Sequence, residues 1–79
     1  MNIIDAKYGK SENESINVYD LLKEKLIKDG VLKIDMDTNF NALFTDPYPG
    51  NHKYLILYKD DGKCHFIHEN LYHSFYCKS

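Results

Sequence analysis

Residues able to ligate a metal or act as nucleophile or base crowd the C-terminal end of this chain: Cys64, His65, His68, Glu69, His73 and Cys77. Thiolate and imidazole are ligands that zinc favours, so a tetrahedral site is the first chemistry to weigh. On a strand, Cys64 and His68 share a face and His65 takes the other, while His73 and Cys77 share a face of the following strand. Cys64, His68, His73 and Cys77 could then meet across adjacent strands as a two-thiol, two-imidazole set. Their spacing matches no zinc knuckle, whose ligand pairs sit on tight turns. Half-exposed histidines filling strand positions account for the same residues, so no cofactor is expected and the metal set stands as an alternative.

Catalysis finds no better footing. Cys64 and its neighbour His65 point to opposite faces, and no glycine-rich loop lies nearby to supply an oxyanion hole. The carboxylates of Asp35, Asp37 and Asp46 lack the spacing of a calcium loop. The chain is therefore expected not to be an enzyme. Its net charge of −2 arises from 10 basic residues, every one a lysine, against 12 acids. The two signs are interspersed and arginine is absent, which argues against nucleic acid as a partner. Lys, Asn, Ile and Tyr make up more than a third of the 79 residues, a bias of AT-rich genomes that discourages reading purpose into each lysine. Apolar runs are too short to cross a membrane. Asp5 interrupts the N-terminus where a signal peptide is apolar, so a cytoplasmic protein is expected. In that compartment Cys64 and Cys77 read as free thiols rather than a disulfide.

The elements that must position these residues follow from apolar spacing. Ile3, Ile4 and Ala6 open a strand that stops at Tyr8-Gly9, and Lys10 to Ser15 reads as an exposed loop. Val18, Leu21, Leu22 and Leu26 fall on one helical face, predicting a helix near 18–28 with Asn17 as N-cap and Gly30 as the residue that ends it. Leu32, Ile34 and Met36 alternate in a half-buried strand. Residues 37–50 form a long connection from which Phe40, Leu43 and Phe44 tuck onto the core. Residues 53–59 form the central strand, Asp60-Asp61-Gly62-Lys63 a hairpin with Asp-Gly as the turn pair, and 64–68 the returning strand. A last strand lies within 71–77. The whole, residues 1–79, is expected to be one small α+β domain: an antiparallel sheet of four to five strands with one helix packed on one face.

The long connection ends in Asp46-Pro47-Tyr48-Pro49-Gly50-Asn51-His52-Lys53. Alternate prolines hold Asp46 and Tyr48 in extended geometry, and Pro49-Gly50 suits the centre of a type II turn. Such a loop is rigid rather than slack. Tyr48 between its prolines, and Tyr54, Tyr58, Tyr72 and Tyr76 on strands, are of the type enriched at protein interfaces. The alternative for Tyr54 and Tyr58 is packing beneath the helix with their hydroxyls at the rim.

Ala6-Lys7-Tyr8-Gly9 ending the first strand, Ile16-Asn17-Val18 opening the helix, and Lys28-Asp29-Gly30-Val31-Leu32-Lys33-Ile34 form one series of motifs. Asp46-Pro47-Tyr48-Pro49-Gly50 with Lys53, the aliphatic strand, Gly62 and Glu69-Asn70-Leu71 complete it. The series resembles a small domain appended to the C-terminus of certain J-domain co-chaperones of mitochondria and found also in fungal and bacterial proteins. Thr45 stands where that family has glycine, Tyr58 falls one place early, and the 79 residues include no J-domain, so a chaperone link is not carried over. The resemblance implies a non-catalytic accessory or interaction module. A protein partner is therefore expected at the 44–53 loop and the adjoining tyrosine-bearing strand, through Asp46, Tyr48, His52, Lys53 and Tyr58. A small virus- or phage-encoded inhibitor would use the same surface on a different target. A free sheet edge leaves a homodimer open.

Overall fold

The computed structural model describes residues 3–35, 37–45 and 47–68, together with the backbone of 75–78. Its elements are β1 (Ile3–Gly9), β2 (Ser15–Asn17), α1 (Tyr19–Lys25), β3 (Ile27–Lys28), β4 (Val31–Ile34), α2 (Phe40–Phe44), β5 (Tyr54–Lys59), β6 (Cys64–His68) and β7 (Phe75–Lys78). The α+β class holds. The strands divide between two sheets, a four-stranded antiparallel sheet ordered β2-β1-β5-β6 and a three-stranded one ordered β3-β4-β7.

Alternation decides which side of the larger sheet meets the core. Ala6 and Tyr8 on β1 stand opposite Leu57 and Leu55 on β5, and Leu55 stands opposite Ile67 on β6. All five are buried in one cluster with Val18 and Leu22 of the helical segment, Leu32 and Ile34 of β4, and Phe40 and Phe44 of α2. With period-2 side chains, Lys7, Tyr54, Ile56, Tyr58, Cys64, Phe66 and His68 must then line the opposite face. Tyr54 and Tyr58 thus lie on the side away from the helices, not beneath one.

The N-terminal part departs from its expected form in three places. The helix is shorter, ending at Lys25, and Ile27–Lys28 leave it to pair with Val31–Leu32. Asp29 and Gly30, with φ of 53° and 74°, are the centre of the hairpin turn that joins them. Two consecutive positive φ values suit an Asp-Gly pair at a type I′ turn, so Gly30 closes a hairpin instead of ending a helix. Ser15–Asn17, expected to be loop and cap, is an edge strand against Lys7–Gly9. Gly9 is where it crosses closest: a Cβ there would collide with the Glu14 carbonyl and the Ser15 backbone. Asn17 still serves the helix, since its Oδ1 accepts the Tyr19 N–H at 3.1 Å although the N-cap residue is Val18.

The long connection holds a second short helix, α2, capped by Asn39, whose Oδ1 accepts the Ala42 N–H at 3.2 Å. Phe40 and Phe44 are buried as expected, and both pack on the Tyr8 ring, with centroids at 5.8 and 5.5 Å. The Tyr8 hydroxyl donates to Asn41 Oδ1 at 2.6 Å. One tyrosine of β1 therefore seats the helix from which the proline loop departs. The β5–β6 hairpin turns on three residues, 60–62, and not on the expected Asp61-Gly62 pair alone: Gly62 N–H donates to the Lys59 carbonyl and Lys59 N–H to the Lys63 carbonyl. Only Gly62 of its turn has positive φ, the pattern of a type I turn closed by a glycine bulge. Met36, and residues 71–74 of the expected final strand, lie outside the described residues. Residues 75–78 pair with β4, not β6.

Candidate functional site

The proline loop is built from its own backbone inward. The Asn51 N–H donates to the Tyr48 carbonyl at 3.1 Å across Pro49-Gly50, and Gly50 has φ of 83°. That is the type II turn expected from Pro-Gly. Lys53 closes the loop from below. It is 1% exposed, and its Nζ donates to the Asn51 carbonyl at 2.6 Å and the Tyr48 carbonyl at 3.4 Å. A buried ammonium is tolerated only where such acceptors converge on it. Lys53 consequently builds the loop and offers no surface to a partner, which revises its expected contact role.

At the loop's entrance Thr45 has φ of 67° and ψ of 174°, a combination almost restricted to glycine. Thr45→Gly is expected to relieve the strain and raise stability by about 1 kcal/mol. Thermal unfolding checks this, and a lower melting temperature would mean that the threonine side chain contributes more than its backbone costs.

Two of the expected contact residues, Tyr48 and His52, lie in the loop that leads into β5. Tyr48 is half-buried, with Lys10 Nζ 5.4 Å from its ring centroid. His52 is exposed and leans on the open face of the larger sheet. Its Nε2 is 2.8 Å from His68 Nδ1, and its ring meets that of Tyr54 edge-on at 5.1 Å. Tyr54 also contacts His68 at 4.9 Å and Phe66 at 5.9 Å. His52, Tyr54, Phe66 and His68 therefore form one aromatic patch, with Ile56 fully buried in the same face. Tyr58 continues this face, with Lys7 Nζ 5.5 Å from its ring centroid. Burial pushes the Tyr58 phenol above its ordinary range, and the neighbouring Glu12 carboxylate adds to the shift. Asp46 lies outside the described residues.

A scan against protein-family models, a search of curated proteins and a search of solved structures each find nothing that matches this chain. The site is therefore read from its own geometry.

Of the alternative Cys/His metal set, only Cys64 and His68 have described side chains. Cys64 and His68 do share a face of β6, but four residues of strand separate them by roughly 13 Å. Zinc needs its ligand atoms about 2.0–2.3 Å from one centre. The strand carrying Cys77 is in the other sheet, so the adjacent-strand arrangement that would have closed the set is not formed. His73 lies outside the described residues. Among the described residues no group of three or more His, Cys, Asp or Glu side chains converges, and Cys64 is an exposed free thiol. Nor is any described helix long and apolar enough to cross a membrane.

The pairing of His52 with His68, and the entry of Phe66 into the patch, are what sequence reasoning missed. The expected two-residue Asp61-Gly62 turn would set residue 69 opposite residue 54; the glycine bulge shifts the register by one and brings His68 opposite Tyr54, two positions from His52.

Proposed function

We propose that this chain is a non-catalytic interaction module of the cytoplasm that binds a protein partner. Contact is made by the proline loop, through Tyr48 and His52, and by the aromatic face that His52 adjoins, through Tyr54 and Tyr58. The observation carrying this reading is the continuity between a braced loop and a sheet face rich in exposed rings. Rigid aromatic side chains give large contact area with little conformational entropy to lose. The resemblance to an accessory domain of J-domain co-chaperones points the same way.

The test places a photo-crosslinking residue at Tyr48, at Tyr54 and, as a control, at Lys25 on the exposed side of α1, in cells of the protein's own source. One discrete adduct shared by positions 48 and 54 and missing at 25 is expected. The double substitution Tyr48→Ala with His52→Ala should weaken recovery of that adduct's partner at least tenfold. Its melting temperature should stay nearly unchanged. Adducts equal at all three positions, or none at 48 and 54, would remove the assignment.

A further inference from the structure

We infer that the outer edge of β6 is a self-association site, which pairs antiparallel with β6 of a second copy of this chain, centred on Phe66. This goes beyond the proposed partner site, since it requires no other protein.

The hairpin bonds determine which backbone groups face outward. Lys59 and Lys63 form a hydrogen-bonded pair. In an antiparallel ladder such pairs recur at every second residue. Leu57 with His65 and Leu55 with Ile67 are then hydrogen-bonded pairs as well. The N–H and C=O groups of Cys64, Phe66 and His68 must point the other way. Among the described residues β6 is the edge of its sheet and no strand pairs with that side.

These three residues form a self-complementary set. Under a two-fold axis through Phe66, Phe66 pairs with Phe66 of the second copy, Cys64 with its His68 and His68 with its Cys64. Every outward N–H then meets an outward C=O, with none left over. The same residues carry the side chains of the open face. Phe66, 48% exposed in one copy, therefore lies beside its own equivalent, and aromatic cross-strand pairs are favourable. Edge strands are ordinarily guarded by lysine, proline or an inward charge. Cys64-His65-Phe66-Ile67-His68 contains no lysine, proline, aspartate or glutamate. The opposite edge, β2, has only three residues. A closed two-fold dimer uses up the β6 edge and joins the two four-stranded sheets into one continuous sheet.

The ladder is short, so the interface falls in the weak class and a dissociation constant between micromolar and millimolar is expected. Sedimentation velocity on the full chain over that concentration range should show mass rising from 9.3 kDa towards twice that value. Phe66→Lys, which alters an exposed side chain and brings two ammonium groups together at the axis, should leave a folded monomer by circular dichroism. Position is tested separately. In a Cys64→Ser background, Phe66→Cys should give a disulfide-linked dimer on mild oxidation, while Cys64→Ser alone should not. A wild-type chain that stays monomeric throughout overturns the inference. So does a dimer that persists in Phe66→Lys without crosslinking through position 66. Neither result touches the contact of Tyr48 and His52 with another protein, which the crosslinking from those positions reads independently.

Discussion

Tyr8→Ala is expected to remove about 3–5 kcal/mol of stability, the cost of emptying a large aromatic site in a core. A chain of 79 residues has about 4–12 kcal/mol in total. The variant should therefore be substantially unfolded at physiological temperature. The reason is positional as well as volumetric. Tyr8 is fully buried on β1, supports both Phe40 and Phe44, and bonds Asn41. All three of those partners are on α2, the element that delivers the chain to the proline loop. Tyr8→Phe keeps the rings packed and loses only the hydroxyl bond, for about 1 kcal/mol. Urea unfolding of the two variants separates these contributions. A Tyr8→Ala chain within about 1 kcal/mol of the parent would mean that α2 is seated by other contacts.

The second large effect is expected at Lys53. Lys53→Met preserves an unbranched apolar stem but removes the Nζ that holds the Asn51 and Tyr48 carbonyls. Hydrogen bonds from a charged donor are worth about 1.5–3 kcal/mol, and that loss is expected on unfolding. The change is concentrated in one loop. The Asn51 amide, bonded to the Tyr48 carbonyl across the turn, should exchange with solvent much faster. Amides of β1 and β5 should slow or quicken only with global stability. Recovery of the partner through Tyr48 should fall although no exposed side chain has changed, because an ordered loop then has to be formed at binding. Unchanged exchange at Asn51 would show that the turn stands without Lys53.

Lys53 also illustrates how far the chain can be read before it folds. Its place three residues after Pro-Gly marks it as part of the loop, but a lysine is ordinarily a surface residue and by type reads as a contact. Burial depends on which carbonyls the turn directs at it, and those are set by the folded loop. The adjacent-strand arrangement of the alternative metal set depended on the same kind of information. Strand alternation correctly put Cys64 and His68 on one face, yet whether the strand bearing Cys77 would lie beside them depended on long-range pairing. The last strand joined β4, not its neighbour in sequence.

The features legible in the residue order are therefore local and periodic. Alternation and helical spacing indicated α1, β1, β4, β5 and β6, because side-chain direction follows backbone repeat, but left open which face of β5 meets the helices. Pro49-Gly50 specified its own turn, because glycine supplies a φ that other residues resist. Tertiary structure alone decided the meetings between distant residues: Tyr8 with Asn41, His52 with His68, β7 with β4. It also split the strands into two sheets and, among the described residues, left the β6 edge unpaired and Phe66 and His68 exposed. Such contacts form only when the burial gained offsets the entropy of closing long loops, a balance that no window of neighbouring residues contains.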